Sequence, residues 1–172
     1  MSKLPCHIYL CGFMGSGKTT VGSLLAERFS YSFIDTDLMI EQNERKTIRD
    51  IFERSGEAAF REMENAMIEE IISSKQNAVV ALGGGSLMRF ENLSLIRNDG
   101  YLVYLNTDLK VIAERLHADN SRPLLIQDSL KTLFDQRRSG YETADLTIQT
   151  NDQSPAEIAE TIARHLSRLN AK

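Results

Sequence analysis

The chain has 172 residues, enough to bury roughly 70% of its unfolded surface in one core, so a single domain spanning 1–172 is expected. Lys and Arg total 20 against 24 Asp and Glu, a formal charge of −4, which argues against a nucleic-acid surface. No apolar run approaches a membrane span and no segment is of low complexity, so small molecules, with neither nucleic acid nor membrane, are the expected partners of a monomer.

Cys6 to Cys11 is an apolar, strand-like run that ends on Gly12-Phe13-Met14-Gly15-Ser16-Gly17-Lys18-Thr19. That octet meets every fixed position of the phosphate-binding loop G-x-x-x-x-G-K-[ST], and Thr20 to Phe29 continues it with apolar residues at helical spacing. Strand, loop, helix is the order the chemistry requires. Glycines let successive N–H groups point at phosphates, and the helix adds the positive end of its dipole. Lys18 would reach the β- and γ-phosphates, and Thr19 would put its hydroxyl on a magnesium ion. Gly12, Gly15, Ser16, Gly17, Lys18, Thr19 and Thr20 are therefore the expected triphosphate contacts. Cys6 and Cys11 are five apart on the same strand and face opposite sides, which predicts reduced thiols. With no leader-type cleavage pattern on the N-terminal apolar run, the expected location is the cytoplasm.

Tyr31 to Ile34 reads as a second strand closing on Asp35-Thr36-Asp37, followed by helical periods at Leu38–Asn43, Thr47–Arg54 and Gly56–Ser73. Ala78 to Leu82 is all apolar, as in a strand covered on both faces, and ends on Gly83-Gly84-Gly85. A weaker helix at Leu87–Arg97 leads to a strand at Tyr101–Leu105 and a helix opening at Thr107-Asp108. Asp119 to Asp128 has the polar turn chemistry of a mobile loop, and a helix then runs to about Thr143. Leu146 to Ile148 is a last short strand. Ser154-Pro155-Ala156-Glu157 then combines a capping box with proline at the first helical position, before an apolar stripe of Ile158, Ile162, Leu166 and Leu169. Alternating strands and helices predict the α/β class, a mainly parallel sheet with helices on both faces and ligands beyond the carboxyl ends of its strands.

Asp35 and Asp37 are the strand-end carboxylates nearest the loop in this reading, one suited to the metal and the other to an acceptor hydroxyl. The alternative use of such a residue is an Asx turn capping the next helix. Three consecutive glycines at a strand end imply close backbone approach, either to a ligand or to a neighbouring helix. Arg61 stands three residues before Glu64, where an i,i+3 pair can orient it. Arg122 lies in the polar loop, and Arg137-Arg138 in the next helix; guanidinium forks there suit a carboxylate or the charge developing on a phosphoryl group. The three histidines form no ligand-spaced cluster.

Taken together, these residues resemble the shikimate kinase family over nearly the whole chain. The segments that carry the resemblance are the phosphate loop, Asp35-Thr36-Asp37, Asp50-Ile51-Phe52, Gly56-Glu57-Ala58-Ala59-Phe60-Arg61 with Glu64, Gly83-Gly84-Gly85 and Arg122-Pro123-Leu124-Leu125. The resemblance implies a three-layer P-loop kinase fold with a five-stranded parallel sheet in the order 2-3-1-4-5, a substrate-binding helical segment at about 36–64 and a lid at about 117–128. It implies transfer of the ATP γ-phosphoryl to the 3-hydroxyl of shikimate, with magnesium, in the pathway to chorismate and aromatic amino acids. Asp35 would serve the metal with Thr19, and Asp37 would face the acceptor hydroxyl. Arg61 and Arg137 would hold the shikimate carboxylate, Gly83, Gly84 and Gly85 would line the ring site, and Phe52 and Phe60 would wall it. Arg122 would reach the transferring phosphoryl, while Arg115 and Gln153 would lie on the adenine side.

Two departures from the family pattern stand out. Arg137-Arg138 precedes Ser139-Gly140-Tyr141 where Pro-Leu-Tyr is usual, so counting back from Tyr141 selects Arg137 but leaves Arg138 as the alternative. Ile148-Gln149 replaces the usual Ile/Val-Asp of the adenine loop. Rival readings are a gluconate or nucleoside monophosphate kinase on the same fold, a nucleotide-binding switch and an inactive kinase-like interaction module. The absence of Asn-Lys-x-Asp and Asp-x-x-Gly counts against a guanine-nucleotide switch, and retention of Lys18, Asp37 and Arg122 counts against an inactive module.

Overall fold

Strand β1, His7–Cys11, is buried along its whole length, as a largely apolar run in the middle of a sheet must be, and its one basic residue, His7, is met by Asp99 at 2.6 Å. In the computed structural model, which describes residues 6–118 and 127–169, it is followed by α1 (Lys18–Phe29), β2 (Ser32–Asp35), α2 (Thr36–Glu44), α3 (Ile48–Ser74) and β3 (Ala78–Ala81). A 3₁₀ turn at Ser86–Met88 leads to α4 (Phe90–Asp99), β4 (Tyr101–Asn106), α5 (Leu109–Ala118), α6 (Gln127–Tyr141), β5 (Leu146–Gln149) and α7 (Pro155–Leu169). All neighbouring strands are parallel, in the order β2-β3-β1-β4-β5, the expected 2-3-1-4-5.

The alternation of side chains along β1 divides the core in two. Tyr9 and Cys11 point to the face covered by α3, α4, α5 and α6, where Met67, Ile71, Ile96, Ile112 and Leu130 pack. Ile8 and Leu10 point to the opposite face, against Val21 and Leu25 of α1 and Ile158, Ile162 and Leu166 of α7. The predicted capping box of α7 is present: Glu157 N–H donates to Ser154 Oγ at 3.3 Å, and Ser154 N–H to Glu157 Oε2 at 2.8 Å. No helix among the described residues is long and apolar enough to cross a membrane.

Three local differences from the sequence reading have physical causes. The two helical periods at 47–54 and 56–73 form one helix, α3, interrupted at Gly56 by non-helical backbone (φ 80°, ψ 171°). The weak helix read at 87–97 is a 3₁₀ turn and a helix separated by Arg89 in extended backbone (φ −93°, ψ 121°). Cys6 lies before β1 rather than in it, and both cysteines are free.

Candidate active site

The phosphate loop, Asp35 and the triple glycine all lie at the carboxyl edge of the sheet, where β1, β2 and β3 end side by side. Around them opens a cavity of about 820 Å³. Its floor is Gly15 to Val21; Asp35, Asp37, Glu41, Ile48 and Gly84 line one end, and Arg115, Gln153 and Pro155 the other.

The loop has the geometry its sequence predicts. Gly17 is the left-handed N-cap of α1 (φ 93°), offers no side-chain cap, and is followed by a first turn with no acidic residue. The helix therefore presents N–H groups and dipole to the cavity without an internal anion. Lys18 Nζ donates to the carbonyls of Gly12 (2.8 Å) and Phe13 (3.1 Å), so its charge already sits inside the loop. Ser16 is buried and its Oγ has no hydrogen-bond partner, so of its polar groups the backbone is the one that serves the loop. Arg115 reaches over from α5 to the carbonyl of Gly15 at 3.1 Å, and Gln153 donates to the carbonyl of Gln149 at 2.7 Å. Gln149, where the family pattern has aspartate, accepts from Asn106 Nδ2 (2.9 Å) and donates to Asp108 Oδ1 (3.2 Å). Thr20 lines the cavity with an exposed side chain.

Asp35 does two things that the sequence reading set against each other. Its Oδ1 caps α2 by accepting from the N–H groups of Asp37 (3.2 Å) and Leu38 (3.3 Å), while Oδ2 accepts from the Thr19 hydroxyl at 3.0 Å. Hard oxygen donors, few in number and beside a triphosphate cradle, fit a magnesium ion that keeps most of its water. Asp37 is different. Its Oδ1 is buried without a partner, and burial, with Glu64 and Asp35 nearby and only partly offset by Lys18, pushes its carboxyl up to about 6. Between the two aspartates, Thr36 Oγ1 accepts from Gly83 N–H at 3.0 Å and ties the start of α2 to the end of β3.

The triple glycine is where the remaining candidates meet. A Cβ on Gly83 would lie 2.5 Å from Asp37 Oδ1 and 2.8 Å from Glu64 Oε1; one on Gly84, 3.0 Å from Arg137 Nη1; one on Gly85, 2.7 Å from the Arg61 guanidinium. The close approach expected of three glycines is made by side chains of α2, α3 and α6: only bare backbone lets these groups close in. Arg61 is clamped by Glu57 (2.9 Å) and Glu64 (2.5 Å) and lies 5.5 Å from the Phe60 ring centre. Phe60 is buried; Phe52, its ring 4.8 Å away, is exposed. Arg137 stands over Phe13 at 5.9 Å, whereas Arg138 is exposed and paired with Glu142 at 2.6 Å.

Phe52, Phe60, Arg61, Arg137, Gly83 and Gly85 gather behind Asp37 and Gly84 rather than along the cavity wall itself. Arg122 and most of the segment expected to be a lid, 119–126, lie outside the described residues. Sequence reasoning missed Tyr141 and Phe13 as site residues. The Tyr141 hydroxyl, hydrogen-bonded with Arg137, donates to the carbonyl of Gly84, and its ring stacks on Tyr104 at 5.2 Å. Its spacing of four from Arg137 is the signal that was available.

The family model described as shikimate kinase matches residues 14–167. A shikimate kinase of Sulfurihydrogenibium sp. (strain YO3AOP1) is 41% identical over 164 residues, which cover 94% of this chain and 98% of that one. Among solved structures, the shikimate kinase from Acinetobacter baumannii in complex with shikimate superposes with a TM-score of 0.90 at 36% identity, covering 99% of this chain and 97% of that one. A gluconokinase from Sinorhizobium meliloti 1021 (TM-score 0.65, 22% identity, 98% and 95% covered) shares the fold.

Proposed function

The chain belongs to the shikimate kinase family, and from that premise we propose that it transfers the γ-phosphoryl group of ATP to the 3-hydroxyl of shikimate, towards chorismate and aromatic amino acids. The observation that carries this reading is the convergence of Asp37, Arg61 and Arg137 on the triple glycine beside the phosphate loop. Two arginines suit one carboxylate, and a partnerless buried carboxyl suits a hydroxyl.

In this reading the loop amides and the α1 N-terminus hold the triphosphate, and Lys18 exchanges its two carbonyl partners for phosphate oxygens. Thr19 and Asp35 would hold a magnesium ion, whose positive charge would offset that of the phosphates. Arg115 and Gln153 flank the adenine. Arg61 and Arg137 fix the acceptor carboxylate, with Phe52 and Phe60 along the ring and Gly83 to Gly85 beneath it. Asp37, ionised above pH 6, takes the hydroxyl proton as the oxygen bonds to phosphorus and ADP departs. The segment about 36–64 serves as the acceptor-binding part, and Arg122, from the segment about 117–128, meets the transferring phosphoryl. We place the protein in the cytoplasm as a monomer.

The test is ADP release from ATP and magnesium with shikimate, gluconate and nucleoside monophosphates in turn. Shikimate-dependent release well above the others is expected; a faster reaction with gluconate or a nucleotide would overturn the assignment.

A further inference from the structure

Glu64 is a fully buried carboxylate, and a buried charge is costly unless donors meet it. Arg61 Nη1 meets its Oε2 at 2.5 Å and the Ser86 hydroxyl its Oε1 at 2.6 Å. Ser86, also buried, is held in turn: its N–H donates to the Gly83 carbonyl at 3.1 Å, and its own carbonyl accepts from Asn92 Nδ2 at 3.0 Å. Asn92, buried in α4, accepts from Asn65 Nδ2 at 2.9 Å. Asn65 is the neighbour of Glu64, so the bonds close a circuit from α3 through the 3₁₀ turn and α4 back to α3.

Ser86, Asn92, Asn65 and Arg61 itself do not line the cavity, and Arg61 is the charged donor that the circuit holds beside Gly85. Three of that residue's five donors are engaged, Nε and Nη2 with Glu57 and Nη1 with Glu64, which leaves two. The Glu57 side of this clamp is 67% exposed, a surface pair with little hold; Glu64, at 1%, is rigid. Orientation of the guanidinium is therefore set from the buried side.

We propose that Ser86 and Asn92 are positioning residues for acceptor binding: they fix Glu64, which aims Arg61 so that its two remaining donors meet the acceptor carboxylate ready-made. An arginine side chain is rich in rotamers, and a guanidinium aimed beforehand loses less freedom on binding. This inference rests on the reading of Arg61 as a carboxylate contact.

The test compares wild type with Ser86→Ala and Asn92→Ala at saturating ATP and magnesium, using shikimate and its methyl ester as acceptors. Ser86→Ala is expected to raise KM for shikimate about tenfold, the scale of one hydrogen bond to a charged group, with kcat and the KM for ATP within about twofold. Asn92→Ala should move KM in the same direction by less. With the ester the Ser86→Ala penalty should nearly vanish, which a merely structural role would not produce. If Ser86→Ala does not fold, Ser86→Cys, with a weaker donor of similar size, gives the same readout. A wild type that treats acid and ester alike would overturn the Arg61 reading and this inference with it. A wild type that prefers the acid, paired with a variant whose KM is unchanged or equally raised for both acceptors, overturns this inference alone.

Discussion

Two clusters of glycines build this site, and they do so for opposite reasons. In the phosphate loop the common need is conformational: Gly12, Gly15 and Gly17 all have positive φ, and although a Cβ on Gly12 would also meet the Leu105 carbonyl at 2.8 Å, Gly17, at φ 93°, has nothing within 4 Å of where a Cβ would stand. After β3 the need is clearance: Gly83, Gly84 and Gly85 have no positive φ, yet a Cβ on Gly83 or Gly85 would collide with Asp37 or Arg61, and one on Gly84 would crowd Arg137. The first cluster turns backbone into an anion cradle that any nucleoside triphosphate can use. The second clears a point on which side chains of α2, α3 and α6 converge, and the proposed function puts selectivity for the acceptor there.

The hardest blow to the first half of that contrast is Lys18→Met. Turnover should fall roughly 10³-fold or more while the melting temperature falls far less, because the glycines set the loop's shape and the lysine, though bonded to the Gly12 and Phe13 carbonyls, chiefly supplies charge. Coupled ADP release near the wild-type rate would remove the cradle's role.

The contrast itself is tested by a pair of alanines. Gly83→Ala should cut turnover with shikimate roughly 10²-fold by displacing Asp37, leaving ATP affinity near normal. Gly17→Ala should instead cost about 1–2 kcal/mol of backbone strain and weaken ATP binding, with the KM for shikimate little changed. Titration calorimetry with a non-hydrolysable ATP analogue separates the two; exchanged outcomes would reverse the assignment of conformation and clearance.

Arg137→Ala should raise the KM for shikimate about thirtyfold or more and leave that for ATP nearly unchanged, since a buried carboxylate loses a charged partner. Arg138→Ala should do little to either. The reverse pattern would hand the role to Arg138.

The smallest expected effect is on stability and carries the opposite sign. In metal- and nucleotide-free protein the folded state raises the Asp37 carboxyl from 3.8 to about 6, so folded chains bind its proton more tightly than unfolded ones. Stability contributed at this position therefore falls as pH rises from about 4 to 6, and above 6 the charge is a standing penalty. Asp37→Asn should remove it, raising stability at pH 7.5 by about 1–3 kcal/mol, with the gain fading towards pH 4. The same variant should lose roughly 10² in turnover, and in the wild type turnover should drop as pH falls through about 6. Thermal melts that coincide at both pH values would show that Asp37 carries no such penalty.

Elements whose pattern is local were legible in the sequence. The phosphate loop is a fixed spacing on one stretch of chain, and β1, β3 and β4 are apolar apart from His7 and Asn106 at strand ends because helices cover both faces of the sheet. What depended on rotation or long range was not. The helical period says that Arg137 and Arg138 point about 100° apart, but only the packing of α6 over Phe13 decides which faces inward. Asp35 was read as either a cap or a metal-side residue because sequence assigns one task per side chain, whereas its two oxygens take separate partners. The Ser86–Glu64 bond joins residues 22 apart and leaves no periodic trace.

The interruption of α3 at Gly56 bears on how such a chain can diversify. An insertion inside a continuous helix turns everything beyond it by about 100° per residue and would wrench the core. At Gly56 no helical phase is shared across the break, and no side chain crowds it. Beyond it Phe60, Glu64, Met67, Ile68 and Ile71 anchor the long half, while before it the buried residue is Ile51. Lineages are thus expected to lengthen, shorten or rewrite the segment before Gly56, which includes Phe52, while the core and the Arg61–Glu64 pair beyond it are inherited intact.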